Sequence, residues 1–398
     1  MSRSVDERAS RPPSPVWCHG DVRTSALPVT LTAAVSALAL AACTGSADDP
    51  ASDPAAPATS SAAPSSPATA TTSRISGAPA GLRDVVTARY GSAVTGSAER
   101  GRWRGDAVAV VTGSGDQDGD VTLAVRPRGR RGWKVVGGWW PSLGLTKGQT
   151  QLGGRGHVLL IGSDARPGED PARTRADALQ LLGVDGTGGA GLMGFARDLW
   201  VPIPGHGEGK LNSALVYGGP QGQVDTVHRL TGIRPRGYVL TGFEGFEGVV
   251  DDLGGLSFRA PFSMDSHLSG GTIAKGARRL SGRQALAWSR ERKSLPGGDF
   301  DRSRNQGLLL AAAAIQARLA GPAVLPRALT VVDRHTESDL TGEEMLLFAA
   351  AFYRVDPGQV GRAVAKGPTG TAAGQSVVRL DDASRAAFRD FRDGRISG

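Results

Sequence analysis

Residues 44–76 are built almost wholly from Ala, Ser, Pro, Thr, Asp and Gly, without one aromatic side chain. A segment of that composition cannot bury enough apolar surface to offset the entropy of ordering it. It reads as a tether, so the folded part of this 398-residue chain is expected to begin after it.

An apolar run from Ala26 to Ala42 precedes the tether, following Arg23 and ending in Leu40-Ala41-Ala42-Cys43. It is short for a membrane span, which needs roughly 20 residues, and it suits the apolar region of an export signal. Leu at −3 and small residues at −2 and −1 before a Cys resemble a bacterial lipobox. Cleavage there would leave Cys43 as an acylated N-terminus; an uncleaved anchor is the alternative. Either way the remainder is expected on the extracytoplasmic face of a bacterial cell membrane, lipid-anchored through Cys43 on the first reading. The expected organisation is a signal peptide over 1–42, a tether over 43–77, a small β-rich accessory domain over 78–150 and a catalytic domain over 151–398.

The formal charge of +8 favours an anionic partner, and two cysteines cannot build a disulfide framework. In 78–150, GLRDVVTARYG suggests a helix, while DAVAVVTGS, DVTLAVRPRG and GWKVVGGWW run apolar between Gly/Asp turns, as strands do. Trp103, Trp133, Trp139 and Trp140 fall here. They offer a sugar-stacking face or, the reading preferred, the core of a small domain.

From about residue 155 the pattern changes. HVLLIGS, ALQLLGV, GLMGFA and YVLTG read as short buried strands, separated by helical stretches such as GQVDTVHRLTG, RQALAWSRER and NQGLLLAAAAIQARLAG. Strands interspersed with helices place the region in the α/β class, with a sheet covered on both faces.

Three charged stretches sit where open α/β sheets put ligands, at strand ends. LLIGSDAR presents Asp164 and Arg166 after a buried strand, and RTRADA places Arg175 and Asp177 before the next one. Two carboxylates at adjacent strand edges suit Mg²⁺, which takes phosphate oxygens and water as further ligands. Neighbouring guanidinium forks suit phosphate. Ordinary Asp–Arg pairing in a loop explains the same residues. Arg197-Asp198 then follows GFA, and Lys210-Leu211-Asn212 opens a helix. Last, ERKSLPGGDFDRSRNQ (291–306) sets Arg302, Arg304 and Gln306 on the first turns of a helix. Cations there oppose the helix dipole unless an anion is near; Asp299 and Asp301 offer local pairing instead. No GxSxG elbow, Walker loop, CxxC or HExxH is present, and no helix-turn-helix pattern argues for nucleic acid.

Taken in order, LLIGSDAR, RADALQLL, ARDLWVPIPG, KLNSALVYGGP, TVHRLTGI, YVLTGFEGF, VDDLGG, LSGRQALAWSRERK and GDFDRSRNQ resemble the LytR-CpsA-Psr family of cell-envelope proteins. The resemblance spans roughly 155–310, and more weakly the stretch to about 380. It implies a three-layer α/β/α sandwich whose apolar pocket holds a polyprenyl chain. The implied activity is transfer of a phosphate-linked glycopolymer, such as teichoic acid or arabinogalactan, from a polyprenyl-pyrophosphate carrier to peptidoglycan. A peptidoglycan sugar hydroxyl would attack the polymer's carrier-proximal phosphate and release polyprenyl phosphate. Carried over by position, Asp164 and Asp177 would be linked to Mg²⁺. Asp164, Arg197, Asp198 and Arg302 would be catalytic, with Asp198 orienting Arg197 or activating the acceptor hydroxyl. Arg166, Arg175, Arg290, Arg292, Lys293, Arg304 and Gln306 would meet the pyrophosphate. Two departures stand out: Asn305 where many members keep a second arginine, and Phe195-Ala196 where Ile-Pro is usual. A polyprenyl-pyrophosphate hydrolase and a non-catalytic lipid- or wall-binding lipoprotein remain alternatives.

Overall fold

The computed structural model describes residues 72–145, 152–266, 271–293 and 295–397. Cys43, the expected export signal and most of the expected tether lie outside the described residues; the tether's expected end is instead a strand, Arg74–Ser76.

The accessory region comprises β1 (Arg74–Ser76), α1 (Ala80–Tyr90), β2 (Thr95–Trp103), β3 (Asp106–Gly113), β4 (Val121–Arg126) and β5 (Lys134–Trp139), the strands forming one sheet in that order. Strand alternation gives the sheet two buried faces. Ala98, Ala109, Val111 and Ala124 pack under Leu82 and Val86 of α1. Trp103, Val108, Val110, Leu123 and Val125 face the other way, into the core of the following region. Trp103 and Trp140 are fully buried and donate their indole N–H groups to the Leu340 carbonyl and the Thr122 hydroxyl, each at 2.8 Å. Trp133 is buried too, so three of the four tryptophans are core.

Next come β6 (Gly156–Ser163), β7 (Ala176–Val184), β8 (Ala190–Phe195), the hairpin β9 (Trp200–Ile203) and β10 (Gly207–Lys210), and α2 (Ala214–Thr231). The last of these breaks at Gly219 (φ 61°, ψ −164°), a conformation open to glycine, just before Pro220. Then follow β11 (Gly237–Thr241), α3 (Phe243–Asp252), β12 (Leu256–Ala260), β13 (Met264–Ser266), β14 (Gly271–Ile273), β15 (Gly276–Leu280), α4 (Gly282–Arg290) and α5 (Asp299–Ala320). The chain ends with α6 (Val324–His335), β16 (Glu337–Ser338), α7 (Gly342–Arg354), β17 (Val360–Ala365), β18 (Thr369–Ala372), β19 (Gln375–Val378) and α8 (Asp382–Asp390).

The main sheet has the order β16-β11-β6-β7-β8-β17, with β11–β6 and β8–β17 parallel and the other pairs antiparallel. Both faces are covered, which is why its strands read as nearly continuous apolar runs. Leu159, Ile161, Leu179, Leu181, Met193 and Phe195 pack on α2 and α8. Val158, Leu182, Val184, Leu192 and Val239 pack on Leu325 and Leu329 of α6 and on Leu346 and Phe348 of α7. That is the expected α/β/α sandwich. The helix layer of α6 and α7 is shared, since the accessory sheet packs on its far side in the same apolar cluster. No described helix is long and apolar enough to cross a membrane.

Candidate active site

At the C-terminal end of β6 the ladder with β7 slips. Gly162 opposes Ala178 and Ser163 opposes Ala176, so Asp177 is the extra residue of a bulge. A bulge re-aims a side chain, and Asp177 lines a cavity of about 660 Å³ beside Gly162, Ser163 and Ala178. Asp164 stabilises the same corner: its N–H donates to the Arg175 carbonyl at 2.9 Å, and its Oδ1 accepts the Arg175 N–H at 2.9 Å.

One end of the cavity is charged. Arg197, just past β8, donates from Nη1 to Asp177 Oδ2, while Asn212 Nδ2 lies 3.5 Å from Asp177 Oδ1. Arg302, on the first turn of α5, reaches the Asp177 carbonyl at 3.2 Å and Asp299 Oδ1 at 2.7 Å. Asp299 Oδ1 is also 3.8 Å from Arg197 Nε. Helix α5 can start here because Gly298 takes φ 53°, a left-handed value that favours glycine. Its first turns are polar yet buried: Arg302, Ser303, Asn305 and Gln306 are all 8% exposed or less. Ser303 donates to the Phe195 carbonyl at 3.1 Å, and Gln306 donates to the Ser289 carbonyl at 3.1 Å. Gln180 donates to the Ser303 carbonyl at 3.1 Å.

Buried Arg302 and half-buried Arg197 differ. Burial acts against the charge of Arg197, but Asp177, then Asp198 and Asp299, more than offset it and hold the guanidinium above its ordinary pKa. Burial pulls Arg302 below its ordinary value, Asp299 offsets this only in part, and the cations of Arg197 and Arg292 add to the strain. The Nε atoms of both arginines and both carboxylate oxygens of Asp299 are buried without a hydrogen bond of good geometry. A buried charge without full compensation is costly, so this end of the cavity favours an added anion. Arg290, Arg292 and Lys293 line the same space, Arg290 lying 4.2 Å over the Phe243 ring. The rest of the lining is largely apolar: Leu160, Val239, Phe243, Phe246, Leu286, Leu309 and Leu310. A charged head with an apolar tail matches both halves.

Of the residues expected from sequence, Asp177, Arg197, Arg290, Arg292, Lys293, Arg302 and Gln306 come together around this cavity. Asp164, Arg166, Arg175 and Asp198 stand outside its lining. The Arg166 N–H binds Glu169, and Asp198 lies 3.8 Å from Arg197 Nε and 3.0 Å from Lys210 Nζ. Arg304 points away, mostly exposed and paired with Asp301 at 2.7 Å. Asn305 is buried with an unpartnered Nδ2. Sequence reasoning left Asp299 outside the site, having read it as a local partner only, and missed Gln180 altogether. A lone glutamine inside an otherwise apolar strand is the signal that would have found Gln180.

A hard divalent cation uses carboxylates such as those of Asp164 and Asp177, with water and phosphate as further ligands, and here both Asp177 oxygens face Arg197 and Asn212. Asp164 Oδ2 accepts no hydrogen bond from a described residue, and no cluster of three carboxylate, His or Cys side chains forms among the described residues.

This fold and cavity define a class of α/β proteins that pair a cationic pocket with an apolar one. The chain belongs to the LytR_cpsA_psr family, whose model matches residues 146–389. It is 32% identical over 163 residues to the Regulatory protein MsrR of Staphylococcus aureus (strain COL), covering 40% of this chain and 48% of that protein. It is 35% identical over 151 residues to the polyisoprenyl-teichoic acid–peptidoglycan teichoic acid transferase TagU of Bacillus licheniformis, covering 37% and 48%. The chain thus spans about half the length of the curated relatives it matches. Among solved structures, B. subtilis TagV shares the fold with a TM-score of 0.52 at 22% identity, covering 60% of this chain and 98% of that one. TagT bound to LI-WTA gives 0.51 at 23%, covering 61% and 91%.

Proposed function

We propose that this chain is a Mg²⁺-dependent glycopolymer phosphotransferase that moves a phosphate-linked polymer from a polyprenyl-pyrophosphate carrier to peptidoglycan. The observation that carries the reading is the buried, under-compensated Arg302 where the cationic and apolar halves of one cavity meet. The name of the TagU relative supports the substrate class.

Leu160, Val239, Phe246, Leu286 and Leu309 hold the prenyl tail, each buried CH₂ contributing about 0.8 kcal/mol. Arg302, Arg197, Arg292 and Lys293 hold the pyrophosphate. The acceptor hydroxyl attacks the polymer-side phosphorus, a phosphodiester forms, the bridging P–O bond breaks, and polyprenyl phosphate leaves, its departing oxygen taking up the proton that the hydroxyl loses. Such transfer rests on positioning and charge stabilisation rather than on a covalent protein nucleophile. Arg197 is held in place by Asp177, Asp198 and Asp299, and Arg302 takes up charge that grows on the phosphoryl oxygens. Asp164 and Asp177 would hold the Mg²⁺, which supplies Lewis-acid neutralisation of the same phosphates.

We place the protein on the extracytoplasmic face of the membrane, anchored through a lipidated Cys43. Palmitate labelling that persists after Cys43→Ala would sink the anchor. The catalytic reading is tested with the full chain, lipid-linked polymer and Mg²⁺, with and without peptidoglycan oligomers. Polyprenyl phosphate release should require the oligomers and should fall with chelator. Release at the same rate without acceptor would instead make the chain a hydrolase.

A further inference from the structure

The positive charge of the chain is not all at the cavity. One end of the accessory sheet carries Arg100, Arg102, Arg126, Arg128, Arg130 and Arg131. All six are exposed, and none makes an ion pair with a described residue. Asp106, the acid at the adjoining turn, faces backbone instead: it accepts the N–H groups of Arg128 at 2.7 Å and Gly342 at 2.9 Å.

Register gives the group a shape. Arg102 opposes Ala107, and Ala107 opposes Arg126. Directly opposed residues share a face, so Arg102 and Arg126 stand about 10 Å apart, two strand spacings, with a methyl group between them. Two residues back along β2, Arg100 stands on the same face about 7 Å away. The Arg126 guanidinium lies 5.5 Å from the Trp133 ring, which fixes one wall. The result is a shallow trough, floored by Ala107 and flanked by repeated cations. The loop cations Arg128, Arg130 and Arg131 continue from one end of it.

We propose that this end of the sheet binds a linear polymer with regularly spaced phosphates. A row of separate cations across a trough suits repeated anions on a chain better than a single anion. A bilayer fits less well, because no large exposed apolar side chain accompanies the arginines; the exposed Leu143 follows the other end of β5. Nucleic acid fits less well because the trough offers no exposed ring for bases to stack on, Trp133 being buried. None of the six arginines lines the cavity, so the proposal stands independently of the catalytic reading.

The test uses the full chain and end-labelled long-chain linear polyphosphate, read by fluorescence anisotropy across a salt series. The variant Arg102→Gln/Arg126→Gln/Arg130→Gln should bind about tenfold or more weakly, with a salt slope lower by about 2 to 3, one released counterion per lost contact. Because two of these residues are on strands, Arg130→Glu/Arg131→Glu, confined to the loop, is measured beside it and should weaken binding in the same direction. Unchanged affinity in both variants overturns the proposal. So does competition by orthophosphate at equal total phosphate, or tighter binding to phosphatidylglycerol vesicles or to a single-stranded oligonucleotide than to polyphosphate.

Discussion

The main sheet has a cleft at each end of β7, and they differ in one respect that decides their roles. The cavity at the start of β7 and a cleft of about 740 Å³ at its end, lined by Val184, Gly186, Thr187, Arg318, Tyr353 and Arg354, are similar in size. In the distal cleft both arginines are engaged by the fold itself, although burial and the nearby Arg318 lower Arg354 below its ordinary value too. Arg318 donates to the carbonyls of Arg354 at 3.1 Å and Val355 at 2.6 Å, closing the C-terminal end of α7. Arg354 lies 4.9 Å over Trp139, which also stacks on Tyr353 at 6.2 Å. Just beside it, Asp185 is lowered below the usual carboxylate range; burial opposes this, but the N–H groups of Thr187, Gly189 and Gly188 outweigh it. At the other end, buried Arg302 and half-buried Asp299 keep inaccessible polar atoms unmatched. Volume does not separate a site from a packing gap here; the buried polar atoms left unmatched around Arg302 and Asp299 do.

The strongest way to break that contrast is to change Arg302. Arg302→Lys keeps the charge but loses the fork, and is expected to lower acceptor-dependent transfer by about 10²–10³-fold, some 3–4 kcal/mol of transition-state stabilisation. A thermal melt alongside it separates lost chemistry from lost fold. Near-normal transfer in a folded Arg302→Lys protein would show that the unmet charge is not the working group.

The distal counterpart is Arg318→Met. Two carbonyls at the end of α7 would lose their donor, so urea denaturation should show a loss of about 1–3 kcal/mol, with transfer by the remaining folded protein within about twofold of normal. If transfer collapsed while stability held, the distal cleft would be functional and the contrast would fail.

How far the sequence reveals this division depends on what each residue's neighbours are. The strands of the main sheet are legible because both faces are covered, leaving apolar runs such as HVLLIGS. β2 (TGSAERGRW) is not, since only Ala98 and Trp103 on it are buried. The hairpins between residues 256 and 280 escape for a similar reason, as short strands broken by polar residues. Arg197 and Arg302 stand out as charges next to strand and helix ends. Their opposite environments do not, because these depend on Asp299 and Asp177 meeting across more than a hundred residues of chain. The bulge that turns Asp177 into the cavity is a property of the β6–β7 pairing, and no local pattern announces it. Arg304 looked as good as Arg302 in the same stretch of sequence; only the phase of α5 tells them apart.

A subtler test sets folding against chemistry. His157, at the distal end of β6, is buried against Phe391, and its ring nitrogen lies 2.9 Å from the Phe391 carbonyl. Burial lowers its pKa below 6.5, a shift that the Phe391 hydrogen bond opposes without reversing. The unfolded chain therefore takes up a proton as pH falls below about 6.5 while the folded one does not. Stability should fall from there toward the lower folded-state value and be flat above. In His157→Gln this acid-side loss should disappear, seen as a urea midpoint that changes less between pH 7.5 and pH 5 than the wild type's. An equal drop in both proteins would assign the acid sensitivity elsewhere.

The smallest expected effect sharpens the contrast most finely, because it compares neighbours on one helix. Two residues along α5 turn a side chain by about 200°, carrying Arg304 out to solvent while Arg302 faces the cavity. Arg304 keeps a single exposed pair with Asp301, the kind of contact that contributes at most about 1 kcal/mol. Arg304→Gln should therefore leave transfer within about twofold of normal and barely move the melting temperature. A loss approaching that of Arg302→Lys would mean that α5 turns, or its start re-forms, when substrate binds, bringing Arg304 to the phosphates. In that case the exposed pair with Asp301 would mark a resting position, and the unmet charge of Arg302 would describe only half of the cationic wall.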